Sequence, residues 1–341
     1  PFLPAGTVIA REQNYIYTFH KDNAALQAAA PVKETETQAI YSGKNFKAVF
    51  DKKSGMLVSY KYNGMEYILN GQGLHPKFWR APIYNDYGAG LPHKLGVWKE
   101  VSYGEVTAAV FNARNGEVTC SYKFPKADAS WDITYKIYAD GVIKVNNRFV
   151  AANEKTPMIP RIGLRMQMPE TFTTLTYYGR GPEENYRDRR TSQFFGEYSL
   201  PIKDMYEPYI RPQENNHRTD IYWCAFTNKS GAGLLLVADR TFELNASNHP
   251  LETLDSGDDL HNAAPRTAET DHRHLTDPKP EKVVDVFVDY RMMGIGGDNS
   301  WGALPHEPYL IRTGSGNAIE YGFTLVPFGR KVDFRNLIYQ Y

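Results

Sequence analysis

Strict alternation of apolar and polar residues, broken at short intervals by turn signals, constrains this chain more than any other feature. Trp131, Ile133, Tyr135 and Ile137 alternate with Asp132, Thr134 and Lys136. Successive side chains in a strand point to opposite faces, so this pattern reads as a half-buried strand. Asp140-Gly141 then turns the chain into a second strand, through Val142 and Val145 toward Phe149. The same grammar recurs along the chain. Residues 45–50 lead through Asp51-Lys52-Lys53-Ser54-Gly55 to a strand over 57–62, and Asn63-Gly64 supplies a two-residue hairpin before 66–69. Val284, Val286, Val288 and Tyr290 share one strand face, with Asp285, Phe287 and Asp289 on the other. The continuous apolar run 233–238 predicts a strand covered on both faces. Helical periodicity is scarce; Pro182-Glu183-Glu184-Asn185-Tyr186 has the proline and acids that open one short helix. The expectation is an all-β chain, one large antiparallel sandwich over residues 36–341.

Composition agrees with that class. Among the 341 residues are 24 Tyr and 17 Phe, side chains that suit a pleated, half-buried surface. Lys and Arg number 39 and so do Asp and Glu, giving zero formal charge and no basic balance of the kind a nucleic-acid binder carries. No run approaches the ~18 apolar residues of a membrane helix, so neither nucleic acid nor membrane is expected as a partner. Cys120 and Cys224 supply neither a disulfide framework nor a CxxC metal site, and leave a single mutual disulfide open. The first residue is Pro1 with no leader pattern after it, so the expectation is a chain that begins inside a longer polypeptide. Its compartment, cytoplasmic or periplasmic, is not readable. Tyr15-Ile16-Tyr17-Thr18-Phe19 alternates as a strand, and 21–37 reads as a linker; residues 1–35 are expected to close a preceding domain.

Four segments combine glycine, aromatics and charge in the manner of functional loops. In Phe78-Trp79-Arg80-Ala81-Pro82-Ile83-Tyr84-Asn85-Asp86-Tyr87-Gly88-Ala89-Gly90, Asn85 and Asp86 present groups suited to hydroxyls or a cation, and Gly88 permits backbone movement. The second runs Tyr177-Tyr178-Gly179-Arg180-Gly181-Pro182-Glu183-Glu184-Asn185-Tyr186 into Arg187-Asp188-Arg189-Arg190. Its adjacent Glu183 and Glu184 point apart on either a helix or a strand, whereas a glycosidase needs carboxyls that face each other across the substrate. The third, from Tyr209-Ile210-Arg211-Pro212 to Asp220, is dense in polar groups and fits a structural turn. The fourth, Met293-Gly294-Ile295-Gly296-Gly297-Asp298-Asn299-Ser300-Trp301-Gly302, lacks the full dinucleotide fingerprint and has no helix pattern behind it. Trp301 in such a loop is either a core residue or a ring that lies against the C–H face of a sugar. His272-Arg273-His274 has strand spacing for zinc but no third ligand in view.

RAPIYNDYGAG followed by LGVWKE, then YYGRGPEENYRDR, YIRPQENNHRTD and GIGGDNSWGA, resemble in content and order the bacterial β-galactosidases of glycoside hydrolase family 2. The likeness covers residues 39–341 and is to that family's C-terminal small-chain domain, whose fold is a galactose-mutarotase-like super-sandwich. LPAGTVIAREQ resembles the end of the immunoglobulin-like domain before it. The resemblance implies hydrolysis of terminal β-D-galactosides in the intact enzyme, with the catalytic glutamates and the magnesium and sodium ligands upstream of this chain. It implies no catalytic residue, metal or cofactor here. It implies instead a substrate contact at Trp301, beside Asn299 and Asp298, and a mobile loop at Asn85, Asp86 and Gly88. Galactoside, the upstream domains and further copies in a homo-oligomer are the partners it implies. The alternatives are a stand-alone carbohydrate-binding module and, by fold analogy alone, an aldose epimerase, for which no motif places a His opposite a Glu.

Overall fold

The computed structural model describes residues 3–14, 28–152, 158–255, 274–299, 302–312 and 317–341. Their strands form two antiparallel sheets. The smaller is a five-stranded meander in chain order, Val32–Glu34, Gln38–Ser42, Phe46–Asp51, Leu57–Tyr62 and Met65–Glu66. Asn63 and Gly64, both at positive φ (49° and 80°), close its hairpin as their sequence predicts. This sheet begins ahead of residue 36: Val32–Glu34 pairs with the next strand because Thr35 closes the turn, its hydroxyl accepting the Gln38 N–H at 3.0 Å.

The larger sheet has twelve strands. Its main path runs from Phe194–Pro201 through Phe172–Gly181, Arg218–Asn228, Gly233–Ser247, Ile319–Phe328, Ile143–Ala151, Ala129–Ile137 and Glu117–Phe124 to Val110–Arg114. Gly233–Ser247 is the branch point. Residues 233–238 pair with Ile319–Phe328, whereas 243–247 pair with Val283–Met292, which continues to Arg161–Pro169 and His75–Lys77. Between the two halves Asp239, Arg240 and Thr241 are exposed. The neighbouring strand slips register twice between Arg218 and Trp223, with Asp220 at φ +57°. Such bulges bend a strand and raise its twist, so one strand serves two parts of the sheet and curls it around the core. At the centre Phe78 lies 5.2–5.5 Å, centroid to centroid, from Trp98, Trp131 and Phe149. The Trp131 and Trp98 ring N–H groups donate to Asn147 Oδ1 and to the Met158 carbonyl, which lets both indoles be fully buried.

Several expectations need correction. Residues 79–90 do not form an open loop: they feed three short helices, Tyr84–Gly88, Leu91–Lys94 and Gly96–Tyr103. Pro182 opens no helix; its segment is irregular, and Asn185 is tied to the strand beyond by Thr219, whose N–H and hydroxyl both donate to Asn185 Oδ1. The strand expected over 284–290 forms, as Val283–Met292, and both of its faces are buried over 283–289. Asp285, Phe287 and Asp289 are as buried as the valines, because Arg161 and Arg165 on the adjacent strand face them. Cys120 and Cys224 are both free and buried. The strand expected over Tyr15-Ile16-Tyr17-Thr18-Phe19 lies outside the described residues.

Candidate functional site

The four singled-out segments, far apart in the chain, meet at one place. Arg80 is the first junction. Its Nε and Nη2 grip the Asp86 carboxylate at 3.0 and 2.7 Å, while Nη1 and Nη2 donate to the carbonyls of Met293 and Gly294 at 2.7 and 3.1 Å. Burial pushes the Arg80 guanidinium down, but Asp86 outweighs it and holds the charge. Asp86 Oδ2 also accepts the Ile83 N–H at 3.1 Å, capping the helix that carries it. Asn85 in the same turn donates to the Ile295 carbonyl at 2.8 Å.

The second junction is a tight turn. Tyr186 and Arg189 exchange backbone hydrogen bonds at 3.0 and 2.7 Å, placing Arg187 and Asp188 at the tip. Asp188 reaches the glycine-rich segment, where its Oδ1 and Oδ2 accept the N–H groups of Ile295 (3.0 Å) and Gly296 (2.8 Å). Arg187 turns inward to Glu243 at 3.0 Å. The third segment joins through Glu184, which accepts the Asn216 N–H at 2.7 Å and the Tyr209 hydroxyl. Glu184 is thereby consumed, and Glu183 is bound to Gln193 at 2.9 Å, so the two acids do not form an opposed pair.

Beneath these junctions lies a buried ionic layer. Arg161 donates to Glu214 Oε1 at 3.0 Å and to Asn245 Oδ1 at 2.8 Å, and its plane lies over Phe287. Arg165 grips Asp285 at 2.7 and 2.9 Å. Arg161 Nε sits 3.1 Å from Asp289 Oδ2 but out of line, and neither Asp289 oxygen receives a hydrogen bond from the described residues. Burial therefore raises Asp289 to about 7, against the lowering pull of Arg161 and His217. His217 does face a glutamate: its Nε2 lies 2.9 Å from Glu243 Oε2 and its Nδ1 2.8 Å from Asn245 Oδ1. Burial works to raise Glu243, but His217, Arg187 and the Met292 N–H together hold it low. Both His217 and Glu243 are sealed from solvent, with both ring nitrogens engaged, so this pair offers no acid–base face to a sugar.

The predicted residues divide between inside and outside. Asp86 is buried in its ion pair, and Asn85 is half-buried beside the Gly297 backbone. Gly88 touches the far arm of the glycine-rich loop, since a Cβ on Gly302 would stand 2.5 Å from the Gly88 carbonyl. Gly294 and Ile295 are buried, whereas Gly297, Asp298 and Asn299 are exposed. Asp298 accepts from or pairs with His306 Nε2 at 2.5 Å, and Asn299 Oδ1 accepts the Ala303 N–H at 3.3 Å. Trp301 lies outside the described residues, as do His272 and Arg273; His274 pairs with Asp277. Among the described residues no three His, Cys, Asp or Glu side chains are grouped to hold a metal ion. A void of about 10 Å³ under Arg80, lined by Trp79, Pro82, Leu95 and Met293, has room for about one water and not for a sugar ring.

Sequence reasoning missed Asp188 and the ionic layer. A signal for the layer exists: Arg161 and Arg165 share one strand face, and so do Asp285 and Asp289, at the same spacing in strands that are otherwise apolar. Charges spaced that way in two apolar strands are complementary only if the strands are neighbours, which the sequence does not state.

Comparison with known proteins places the chain. The family profile described as "Beta galactosidase small chain" matches residues 42–325. A β-galactosidase of Priestia megaterium is 33% identical over 313 residues, covering 90% of this chain and 28% of its own length. A β-galactosidase of Streptococcus thermophilus is 28% identical over 335 residues, covering 96% of this chain and 30% of its own length. The chain thus spans less than a third of the length of these relatives. A galactose mutarotase related enzyme from Lactobacillus acidophilus matches in structure over 86% of this chain and 98% of its own, at 10% identity and a TM-score of 0.49. The profile takes in all four converging segments, and the chain belongs to the β-galactosidase small-chain family.

Proposed function

We propose that this chain forms one wall of the substrate pocket of an enzyme that hydrolyses terminal β-D-galactosides, with the catalytic glutamates carried by the rest of that enzyme. The observation that carries this reading is the glycine-rich loop, tied down at its base through Arg80, Asn85 and Asp188 and exposed at Asp298 and Asn299. A rigid base under an exposed polar tip suits a ligand held between this surface and a second body, and the void under Arg80 is too small to hold a sugar by itself. In the reaction, a retaining glycosidase needs a nucleophilic carboxylate and an acid/base about 5–5.5 Å apart. Glu183, Glu184 and Glu243 are spent on internal partners, so the residues of this chain bind and orient. Asp298 and Asn299 offer an acceptor and an amide to sugar hydroxyls, and Trp301 would add a ring for the apolar C–H face. Magnesium and sodium, if used, would be held by the remainder of the enzyme. The upstream domains are then the partners of this face.

The test is hydrolysis of p-nitrophenyl-β-D-galactoside by this chain alone, and after mixing with the remainder of the enzyme. No turnover alone and turnover on mixing are expected. In the mixture Trp301→Ala should raise KM by about tenfold, the loss of roughly 1.4 kcal/mol of binding. Turnover by the chain alone would show a complete catalytic pair within it and overturn the reading.

A further inference from the structure

The exposed arm over 297–299 is set from its base by a residue on a remote turn. We infer that Asp188 is a positioning residue of this segment, holding through the Ile295 and Gly296 N–H groups the arm that presents Asp298 and Asn299. This rests on the reading above, which puts that arm at the substrate.

The geometry is specific at both ends of the contact. On the accepting side, the two-residue turn between Tyr186 and Arg189 fixes where Asp188 points, and the Arg187–Glu243 pair anchors the turn from beneath. On the donating side, the N–H groups of Ile295 and Gly296 converge on one carboxylate, each taken by a different oxygen. The two N–H groups form a small backbone cradle for an anion, and Gly296 at φ +65° turns the chain directly after it. Gly294 leaves the room: a Cβ there would stand 2.5 Å from Asp188 Oδ2. The Gly294 N–H donates to the Tyr309 carbonyl at 2.8 Å, closing the neck of the loop, so Asp188 grips it at the neck and not along its tip. Below the grip Ile295 packs with Ile83, Tyr186 and Met292. From that point only Gly297 separates the clamp from Asp298.

Asp188→Asn keeps the size of the side chain but replaces one acceptor with an amide N–H that opposes a backbone donor. Gly294→Ala displaces the same carboxylate from the loop side without touching Asp188. Two readouts are needed. Hydrogen exchange on the 341-residue chain should show the Ile295 and Gly296 amides exchanging at least tenfold faster in both variants, while amides of the Ala129–Ile137 strand stay protected. Asp188→Glu, which keeps the charge, should recover part of that protection. In the mixture with the remainder of the enzyme, KM for p-nitrophenyl-β-D-galactoside should rise about fivefold with kcat changed less than twofold. Unchanged exchange at Ile295 and Gly296 in both variants overturns the inference, whatever the kinetics. Faster exchange with unchanged KM upholds the positioning and instead removes the placement of this loop at the substrate.

Discussion

Replacing Asp86 with Asn tests whether the junction of the first and fourth segments depends on a buried charge pair. Arg80 and Asp86 are 2% and 5% exposed, so water cannot substitute for either partner. The substitution keeps the shape and one acceptor but removes the charge that Arg80 Nε and Nη2 hold at 3.0 and 2.7 Å. Breaking a buried pair from one side costs about 3–5 kcal/mol, because the remaining charge stays buried without compensation. Arg80 retains the carbonyls of Met293 and Gly294, which puts the expected cost toward the lower end, about 3 kcal/mol. With a urea slope of about 3 kcal/mol/M, the unfolding midpoint should fall by about 1 M. Replacing both partners with apolar residues, Arg80→Met with Asp86→Leu, should recover most of the loss, so a cycle built from these two single variants and the double should show a coupling of more than about 2 kcal/mol. Glu197→Gln is the control: its pair with Arg335 is solvent-exposed and should matter by less than about 0.5 kcal/mol. A cost below about 1 kcal/mol for Asp86→Asn, or strictly additive single variants, would refute the argument that the pair organises this junction.

Asp289 should give the chain a stability that declines as pH rises. Its folded value of about 7 lies above the ordinary 3.8, so between these limits only the folded state binds the proton, and stability falls by about 1.4 kcal/mol per pH unit. His75, lowered to about 3 by burial, acts in the opposite sense, losing stability as pH falls below 6.5. The observable is therefore the difference: urea midpoints at pH 5, 6 and 7 should decline less for Asp289→Asn than for the parent, and equal slopes would contradict a buried carboxyl that takes no hydrogen bond from the described residues. Gly163→Ala should cost about 1–3 kcal/mol, since its Cβ would stand 1.6 Å from Asp289 Oδ1 and overpack a close contact; a midpoint shift under 0.3 M would contradict that packing.

Legibility differed from one part of the molecule to another. The strands over 131–137, 143–151 and 57–62 stood in the sequence because period-two alternation is a local signal, and Asn63-Gly64 because few other dipeptides adopt two successive positive φ values. The short helices after Pro82 did not, since four to eight residues carry too little periodicity against a proline- and glycine-rich background. Val283–Met292 showed its period but not its environment. Its alternating Asp residues mimic a solvent face, and only the neighbouring Arg161 and Arg165 reveal them as internal.

The sequence by itself therefore determined the class of the fold, its hairpins and the four segments that gather at the site, because these rest on alternation, turn chemistry and motif content within short windows. Tertiary structure alone decided which charges are buried and which are presented. Asp86 and Asp298 are both acids in glycine-rich segments, yet one is locked inside by Arg80 and the other stands exposed beside His306. That distinction depends on partners more than two hundred residues apart in Arg80 and Gly294, or more than a hundred in Asp188 and Ile295. Burial is a property of what lies on the other side of a residue, and a curled sheet brings that other side from a remote part of the chain.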